Sequence, residues 1–254
     1  MSRAPLSFVR AALVVWHADR MTVAPSAPRT ARERARAELT QEIVDTARRH
    51  LATDGAAGLS LRAVARDLGM VSSAVYRYFP SRDDLLTRLI IDAYDALGDA
   101  AEEAEHRVRR TDLMGRWLAV AHASRDWALA HPAEWTLIYG SPVPGYEAPQ
   151  DTIPPATRVT VTLLVPLLAD VQARGGVLDP RPVPRAARAA LAPAQAGLPP
   201  GVPEDLIYRG LMAWTMLIGM ISLEINGQYT AIISDREEFF EHVMRRMAVL
   251  PADA

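Results

Sequence analysis

The stretch that most constrains the fold is residues 59–86, LSLRAVARDLGMVSSAVYRYFPSRDDLL. Apolar side chains recur there at the three- and four-residue spacing of a helix, first around Val64 and again around Val75. Gly69 lies between the two groups, and glycine readily adopts the left-handed conformation in which many helices end. Pro80 ends the second group because proline cannot donate the next helical hydrogen bond. The pattern predicts two short helices joined by a tight turn and followed by a third helix.

Small polar side chains stand where these helices are predicted to begin. Ser60 and Ser72 precede or open the two short helices, and a serine hydroxyl there can accept a hydrogen bond from a backbone N–H. We expect Met70 and Val71 to pack the turn against the core. Ser81 is predicted to cap the third helix, whose first turn is acidic.

The second short helix carries side chains suited to reading DNA. Val75 and Phe79 are four residues apart and are predicted to face inward, which turns the helix's polar residues outward. In a helix-turn-helix, the first residues of the second helix reach base edges in the major groove, whereas tyrosines and arginines bind phosphates. Two short amphipathic helices also occur in other all-α proteins, so the pattern alone leaves that alternative open. The predicted DNA contacts are Arg36, Ser60, Ser72, Ser73, Ala74, Tyr76, Arg77, Tyr78 and Arg82.

Residues 36–95 resemble the DNA-binding domain of the TetR/AcrR family of bacterial transcription regulators. Val71 stands where many relatives have a serine that caps the recognition helix, and the resemblance implies that Ser72 takes over this cap. Arg82 replaces a common lysine, and the resemblance implies that it binds a phosphate of the DNA. The residues that carry the match are Ile43, Ala47, Leu61, Val64, Ala65, Gly69, Tyr76, Arg77, Tyr78, Phe79, Pro80, Ser81, Leu85 and Leu86.

The distribution of charge supports this interpretation. Residues 29–82 contain ten arginines and six acids, whereas residues 83–254 contain fifteen arginines and twenty-three acids. A basic module on an acidic remainder is typical of a DNA-binding domain carried by a second domain. The absence of cysteine excludes disulfides and thiolate sites and favours a cytoplasmic protein. The sequence has no HExxH, no glycine-rich phosphate loop and no GxSxG motif, so we predict no metal, no cofactor and no enzyme activity.

The rest of the chain is predicted to be helical as well. The expected fold is all-α, with an N-terminal three-helix helix-turn-helix domain and a larger C-terminal helical domain for ligand binding and dimerisation. The domains span residues 29–95, with the motif at about 60–79, and residues 96–254, after a disordered or mis-started extension over residues 1–28. The apolar run at 13–16 is too short for a membrane span. The downstream helices are predicted at about 85–107, 113–130, 132–140, 153–173 with a bend at Pro166, 186–192, 203–225 and 235–250.

Trp117, His131 and Gly140 resemble the C-terminal domain type that is named after Trp, His and Gly and occurs in one branch of the same regulators. This resemblance covers about residues 112–173 and implies a domain that binds an effector and dimerises. Aromatic walls with few charges favour a small apolar effector, although core packing is the alternative for each side chain. The predicted effector contacts are Trp117, Trp127, His131, Trp135, Trp214 and Met216.

Residues 211–223 are apolar at nearly every position, so protein should cover both faces of this helix. We expect a second copy of the chain to cover one face, and the small residues Gly210, Ala213 and Gly219 would allow it to approach closely. The methionines at positions 212, 216 and 220 repeat every four residues, and this stripe could line a pocket. Two copies would read a palindrome on double-stranded DNA. The sequence thus predicts a homodimeric repressor that a small apolar effector releases from its operator, without membrane contact. A regulator without a small-molecule switch, an activator and, less favoured, an all-α enzyme are the alternatives.

Overall fold

The computed structural model describes residues 30–174, 184–191 and 204–248. These residues form helices and turns without any strand, which confirms the all-α prediction. The prediction for residues 1–28 lies outside the described residues. The helices are α1 (Ala31–Gly58), α2 (Leu61–Asp67), α3 (Ser72–Val75), α4 (Arg82–His106), α5 (Leu113–Ala130), α6 (Pro132–Tyr139), α7 (Ile153–Val159), α8 (Val165–Ala173), α9 (Arg185–Ala190), α10 (Glu204–Ile225) and α11 (Arg236–Met247).

The described residues divide into two compact units. The first, here called the reader unit, comprises residues 30–93 and 131–152, and the second, the body unit, comprises the described residues of 94–130 and 153–248. Helix α4 is continuous across the boundary after residue 93. The predicted boundary at residue 95 lies close to this point. Residues 131–152 also belong to the reader unit, whereas the sequence predicted them in the C-terminal domain. They belong there because α6 packs against α1, with Trp135 buried.

The core of the reader unit is built from the apolar faces that the helical spacing predicts. Helix α1 begins with a capping box, in which the Thr30 hydroxyl accepts from Glu33 N at 3.2 Å and Glu33 Oε2 accepts from Thr30 N at 2.9 Å. Helix α4 begins after Pro80, and the Ser81 hydroxyl accepts from Asp84 N at 3.1 Å, which confirms the predicted cap. The buried apolar side chains of α1 to α4 include Ile43, Val44, Ala47, Leu61, Val64, Ala65, Val75, Leu85, Leu86 and Leu89.

The body unit contains the helix that was expected to bend at Pro166. The helical segment has the predicted limits, Ile153–Ala173, but its middle is a π-helical turn at Thr160–Leu164, which joins α7 to α8. Proline has no backbone N–H, and its ring crowds the carbonyl one turn earlier, so the hydrogen-bond ladder is interrupted just before Pro166. The distortion therefore lies about one turn N-terminal to the proline that causes it.

Helix α10 spans Glu204–Ile225, which agrees with the predicted helix at about 203–225 and includes the apolar segment 211–223. Glu204–Ile225 and Gln150–Val171 are each long and apolar enough to cross a membrane. Core helices of soluble proteins meet the same criterion of length and composition. One face of α10 is buried in the body unit through Ala213, Leu217, Met220 and Ile221. Gly210 lies against Leu168 of the same chain, where an added Cβ would be 2.9 Å from Leu168 Cδ1. Of the residues expected to permit close approach of a partner, Gly210 and Ala213 thus serve internal packing.

Candidate nucleic-acid interface

Helices α2 and α3 are joined by a tight turn that the backbone itself closes. Gly69 has a φ of 66°, which confirms the predicted left-handed residue. Met70 N donates to the Ala65 carbonyl at 2.8 Å, and α2 packs against α3. This arrangement is a helix-turn-helix, with α3 in the position of the recognition helix.

The caps of the two short helices differ from the prediction. Ser60 occupies the N-cap of α2, yet its side chain accepts no capping hydrogen bond. The N-cap of α3 is Val71, and Ser72 is the first helical residue. Val71 is 71% exposed, so the expectation that it packs the turn on the core is wrong. The reason is that the bond from Met70 to Ala65 already closes the turn and leaves Val71 outside it.

The outward edge of α3 and the turn after it carries most of the predicted DNA contacts. Val75 and Phe79 are buried, as predicted from their spacing. The residues before Val75 and those between Val75 and Phe79 are accessible. Ser73, Tyr76 and Arg77 are exposed, and Ser72, Ala74 and Tyr78 are partly exposed.

Arg36 of α1 joins this edge from a distant part of the sequence. Its guanidinium carbon lies 5.1 Å from the centre of the Tyr78 ring, within the range of a cation–π contact. The contact brings a positive charge to the side chain that was predicted to hold a phosphate. Arg62 and Arg66 on α2, which the sequence interpretation did not single out, are also exposed.

Arg82 has a different environment from the one expected of a phosphate ligand. Its Nη2 donates to the Ala56 carbonyl at 2.7 Å and its Nε to the Leu59 carbonyl at 3.2 Å. These carbonyls lie at the C-terminal end of α1, where a cation also interacts favourably with the helix dipole. The main contacts of Arg82 are therefore internal to the reader unit.

Another polar contact of the reader unit joins α1 to α2. His50 Nε2 lies 2.6 Å from Asp67 Oδ2. The hydrogen bond from His50, with help from the charge of Arg66, holds the pKa of the Asp67 carboxyl below its ordinary value. This contact fixes the end of α2 next to the turn.

The predicted effector contacts do not fall in one unit. Trp117 and Trp127 are buried in the body unit, Trp214 is partly buried there, and Met216 is exposed on α10. His131 and Trp135 belong to the reader unit, because residues 131–152 pack with α1. The methionine stripe is also divided, since Met220 is buried whereas Met212 and Met216 are exposed.

Arginine-centred ion pairs in the body unit are the polar feature that the sequence interpretation missed. Arg116 is 1% exposed and donates to Glu105 at 2.5 Å and to Asp170 at 2.6 Å. Arg125 binds both carboxylate oxygens of Glu224 at 2.8 Å. The partners of Arg116 and Arg125 are 11 to 99 residues away in sequence, so local sequence patterns do not show that these two guanidinium groups are paired.

A helix-turn-helix whose recognition helix is followed by the exposed Arg77, in a chain whose other described elements are helices, defines the class of helical DNA-binding regulators. Comparisons with known proteins agree. The family description "Bacterial regulatory proteins, tetR family" matches residues 43–89, and "Tetracyclin repressor-like, C-terminal domain" matches residues 117–247. The chain therefore belongs to the TetR family of transcriptional regulators, and it is a DNA-binding regulator and not an enzyme.

Individual relatives extend over most of the chain. The HTH-type transcriptional regulators Rv1816 of Mycobacterium tuberculosis and Mb1846 of Mycobacterium bovis are each 40% identical over 227 residues, which is 87% of this chain and 96% of theirs. The crystal structure of the regulatory protein SCO4313 matches with a TM-score of 0.72 and 36% identity, covering 86% of this chain and 98% of that one. A tetR-family regulatory protein from Rhodococcus RHA1, 15% identical, shares the fold with a TM-score of 0.56 and coverages of 82% and 96%.

Proposed function

We propose that this regulator is a cytoplasmic homodimeric repressor that binds a palindromic operator and is released from it by a small apolar effector. The observation that carries the DNA-binding part is the outward edge of α3 and of the turn after it, where Ser73, Tyr76 and Arg77 are all exposed. Two copies of this edge on a dimer would enter successive major grooves of one operator. No contact with a membrane is part of the proposal.

The contacts divide by chemistry into those that read bases and those that bind phosphates. Ser73 is small, exposed and near the start of α3, which suits a contact to a base edge. Arg77 and Tyr78 come later and suit phosphate oxygens, with Arg36 adding charge beside the Tyr78 ring.

Fluorescence anisotropy on selected and scrambled duplexes tests this division. Arg77→Ala should weaken binding to both duplexes alike and lower the slope of log affinity against log salt by about one, whereas Ser73→Asn should change which base is preferred. Tyr78→Phe should behave as Arg77→Ala does, without the change in slope. Arg109→Ala, which removes an exposed arginine from the body unit, is the matched control. If Arg77→Ala binds with unchanged affinity and salt dependence, the proposed DNA edge is wrong.

The outer face of α10 supports the dimer. Met212, Met216 and Leu223 are 41–45% exposed and follow the spacing of one helix face, with Gly219 between them. A second copy of the same face is the occupant that suits a palindromic operator, since a two-fold axis pairs identical surfaces. Met216 therefore has a role in the proposed dimer rather than in the proposed effector site.

Helix α4 supports the coupling of effector binding to DNA release. It begins in the reader unit and ends in the body unit, where Arg158 of α7 binds Asp99 and Glu102 at 2.6 and 2.8 Å. The nearby π-helical turn at Thr160–Leu164 is a kind of distortion that often marks functional sites. An effector that changes the packing around Trp117 and Trp127 would shift the equilibrium between DNA-competent and DNA-incompetent states, with a coupling of about 1–3 kcal/mol.

A regulator without a small-molecule switch is the second candidate. The observation that favours it is that the Trp117 indole N–H already donates to the Met244 carbonyl at 2.8 Å and that Trp117 and Trp127 are buried, as in ordinary core packing. Tryptophan fluorescence with apolar compounds, repeated at saturating operator duplex, separates the two. A true effector must bind more weakly to the DNA complex by the factor by which it weakens DNA binding. If no compound shows this reciprocity, the regulator without a switch is the better interpretation.

A further inference from the structure

The stability of the protein does not explain why a valine stands at position 71. Val71 is the N-cap of α3, where it offers no side-chain oxygen to the helix, and where serine or threonine in place of an apolar residue typically stabilises a helix. It is also 71% exposed, so it gains almost nothing from burial within the reader unit. Neither capping nor burial within the chain therefore favours a valine here, whereas an apolar contact in a complex would.

The surroundings of Val71 indicate what that contact is. Val71 directly precedes Ser72 and Ser73, and Tyr76 follows one turn later as another exposed side chain. Ser72 and Ser73 are the first residues of the recognition helix, which is the part that reaches base edges. An exposed valine on another surface would need no explanation, but here it stands at the reading end of the motif.

The chemistry of valine narrows the possible partner. Its side chain has no donor or acceptor, so it cannot bind a phosphate or the polar edge of a base pair. In the major groove of unmodified DNA, the apolar group displayed by a base is the C5 methyl of thymine. A β-branched side chain has few rotamers and presents its two methyl groups at a nearly fixed position, so little entropy is lost on contact.

We propose that Val71 determines specificity by packing against the C5 methyl of a thymine in each half of the operator. This inference rests on the proposed function, because it requires sequence-specific binding through α3. It adds to that function an apolar contact at the N-cap that requires a thymine at one position of the half-site.

The experiment starts with duplexes selected from a random pool by the full-length protein. Each thymine of the selected half-site is then replaced in turn by uracil, symmetrically in both halves, which removes the C5 methyl and leaves base pairing intact. At one position, uracil should weaken binding of the wild type by about four-fold for each methyl removed. This is the change in affinity expected when one methyl group is lost from an apolar contact. The same replacement should have no effect on Val71→Ala, and selection with Val71→Ala should lose the preference for thymine at that position.

Two further variants serve as controls. Val71→Thr has nearly the same shape and keeps one methyl group, so it should keep part of the uracil penalty. Ile232→Ala shortens an apolar side chain that is 75% exposed in the body unit, and it should keep the full penalty. Circular dichroism should show all variants folded, because the side chains that change are exposed.

The outcomes separate the inference from the proposed function. If a sequence is selected but no thymine is sensitive to uracil, or if Val71→Ala shows the same penalty as the wild type, the role of Val71 is wrong while specific DNA binding stands. If no sequence is enriched from the pool, sequence-specific binding fails, and the role of Val71 fails with it.

Discussion

At the scale of single residues, the position of a side chain in a motif did not always decide its role. Arg82 lies where the resemblance implied a phosphate contact, but its guanidinium bonds to the Ala56 and Leu59 carbonyls. Arg77 is exposed, by contrast, and suits a contact to DNA. Replacing Arg82 would therefore lower the stability of the reader unit as well as affect any contact to DNA.

Arg82→Ala should lower the free energy of unfolding by about 2 kcal/mol, because it removes two hydrogen bonds from a charged donor to helix-end carbonyls that are partly buried. Arg82→Lys should recover part of this loss, since an ammonium group reaches such carbonyls but lacks the forked geometry. Urea denaturation followed by circular dichroism measures both. Arg77→Ala is the control and should leave the free energy of unfolding within about 0.5 kcal/mol of the wild type. Equal stabilities of Arg82→Ala and Arg77→Ala would contradict the structural role.

At the scale of elements, helix α4 is held in the body unit by ion pairs that it makes with α7. Arg158 approaches α4 closely at Gly98, where an added Cβ would lie 2.7 Å from Arg158 Cδ. Hydrogen bonds and charge from Arg158, with a contribution from Thr162, hold the pKa of Glu102 below its ordinary value of 4.5. The carboxylates of Glu102 and Asp99 in turn raise the pKa of the Arg158 guanidinium.

The depressed pKa of Glu102 predicts an acid-dependent contribution to stability. A carboxyl whose pKa is lower in the folded than in the unfolded chain stabilises the fold above its ordinary pKa, and this contribution is lost as the pH falls through the folded value. Arg158→Met should lower the free energy of unfolding at neutral pH by about 2 kcal/mol and should make its decline shallower as the pH falls below the ordinary pKa of Glu102.

Denaturation at a series of pH values compares the wild type with Arg158→Met. Arg109→Met, which removes an exposed arginine of the body unit, should keep the steep decline of the wild type. Parallel curves for the wild type and Arg158→Met would show that Arg158 does not set the pKa of Glu102.

At the scale of the whole molecule, the proposed operator requires two chains. The exposed face of α10 has three large apolar side chains and a glycine, and an added Cβ at Gly219 would meet no atom within 4 Å. The chain itself therefore leaves room at Gly219, which a second copy could approach closely.

Gly219→Glu should yield a folded monomer, because the charge lies on the proposed dimer face and meets no crowding within its own chain. Operator affinity should fall by at least about 100-fold, since one helix-turn-helix makes about half the contacts of a dimer. Light scattering gives the mass, and anisotropy gives the affinity. Ala52→Glu, at an exposed helical position of the reader unit, should stay dimeric. A wild-type protein that is monomeric at micromolar concentration would rule out the dimer and the palindromic operator.

The sequence by itself determined the helices and several of their ends. Helix α5 has the predicted limits, Leu113–Ala130, and Gly69 and Ser81 have the predicted roles. Helical periodicity, caps and breakers act over a few neighbouring residues, so they are legible without knowledge of the rest of the fold. The DNA-binding class followed from the resemblance of residues 36–95 to a known family, which is legible because the motif occupies one continuous stretch of the chain.

Only the tertiary structure decided which distant residues meet. It placed residues 131–152 against α1, bound Arg82 to the end of α1, left Val71 outside the turn and paired Arg116 with Glu105 and Asp170. Each of these outcomes depends on contacts between segments that are separated in sequence. Periodicity states which face of a helix is apolar, but the partner of that face, and the partner of a buried charge, are set by how the helices pack.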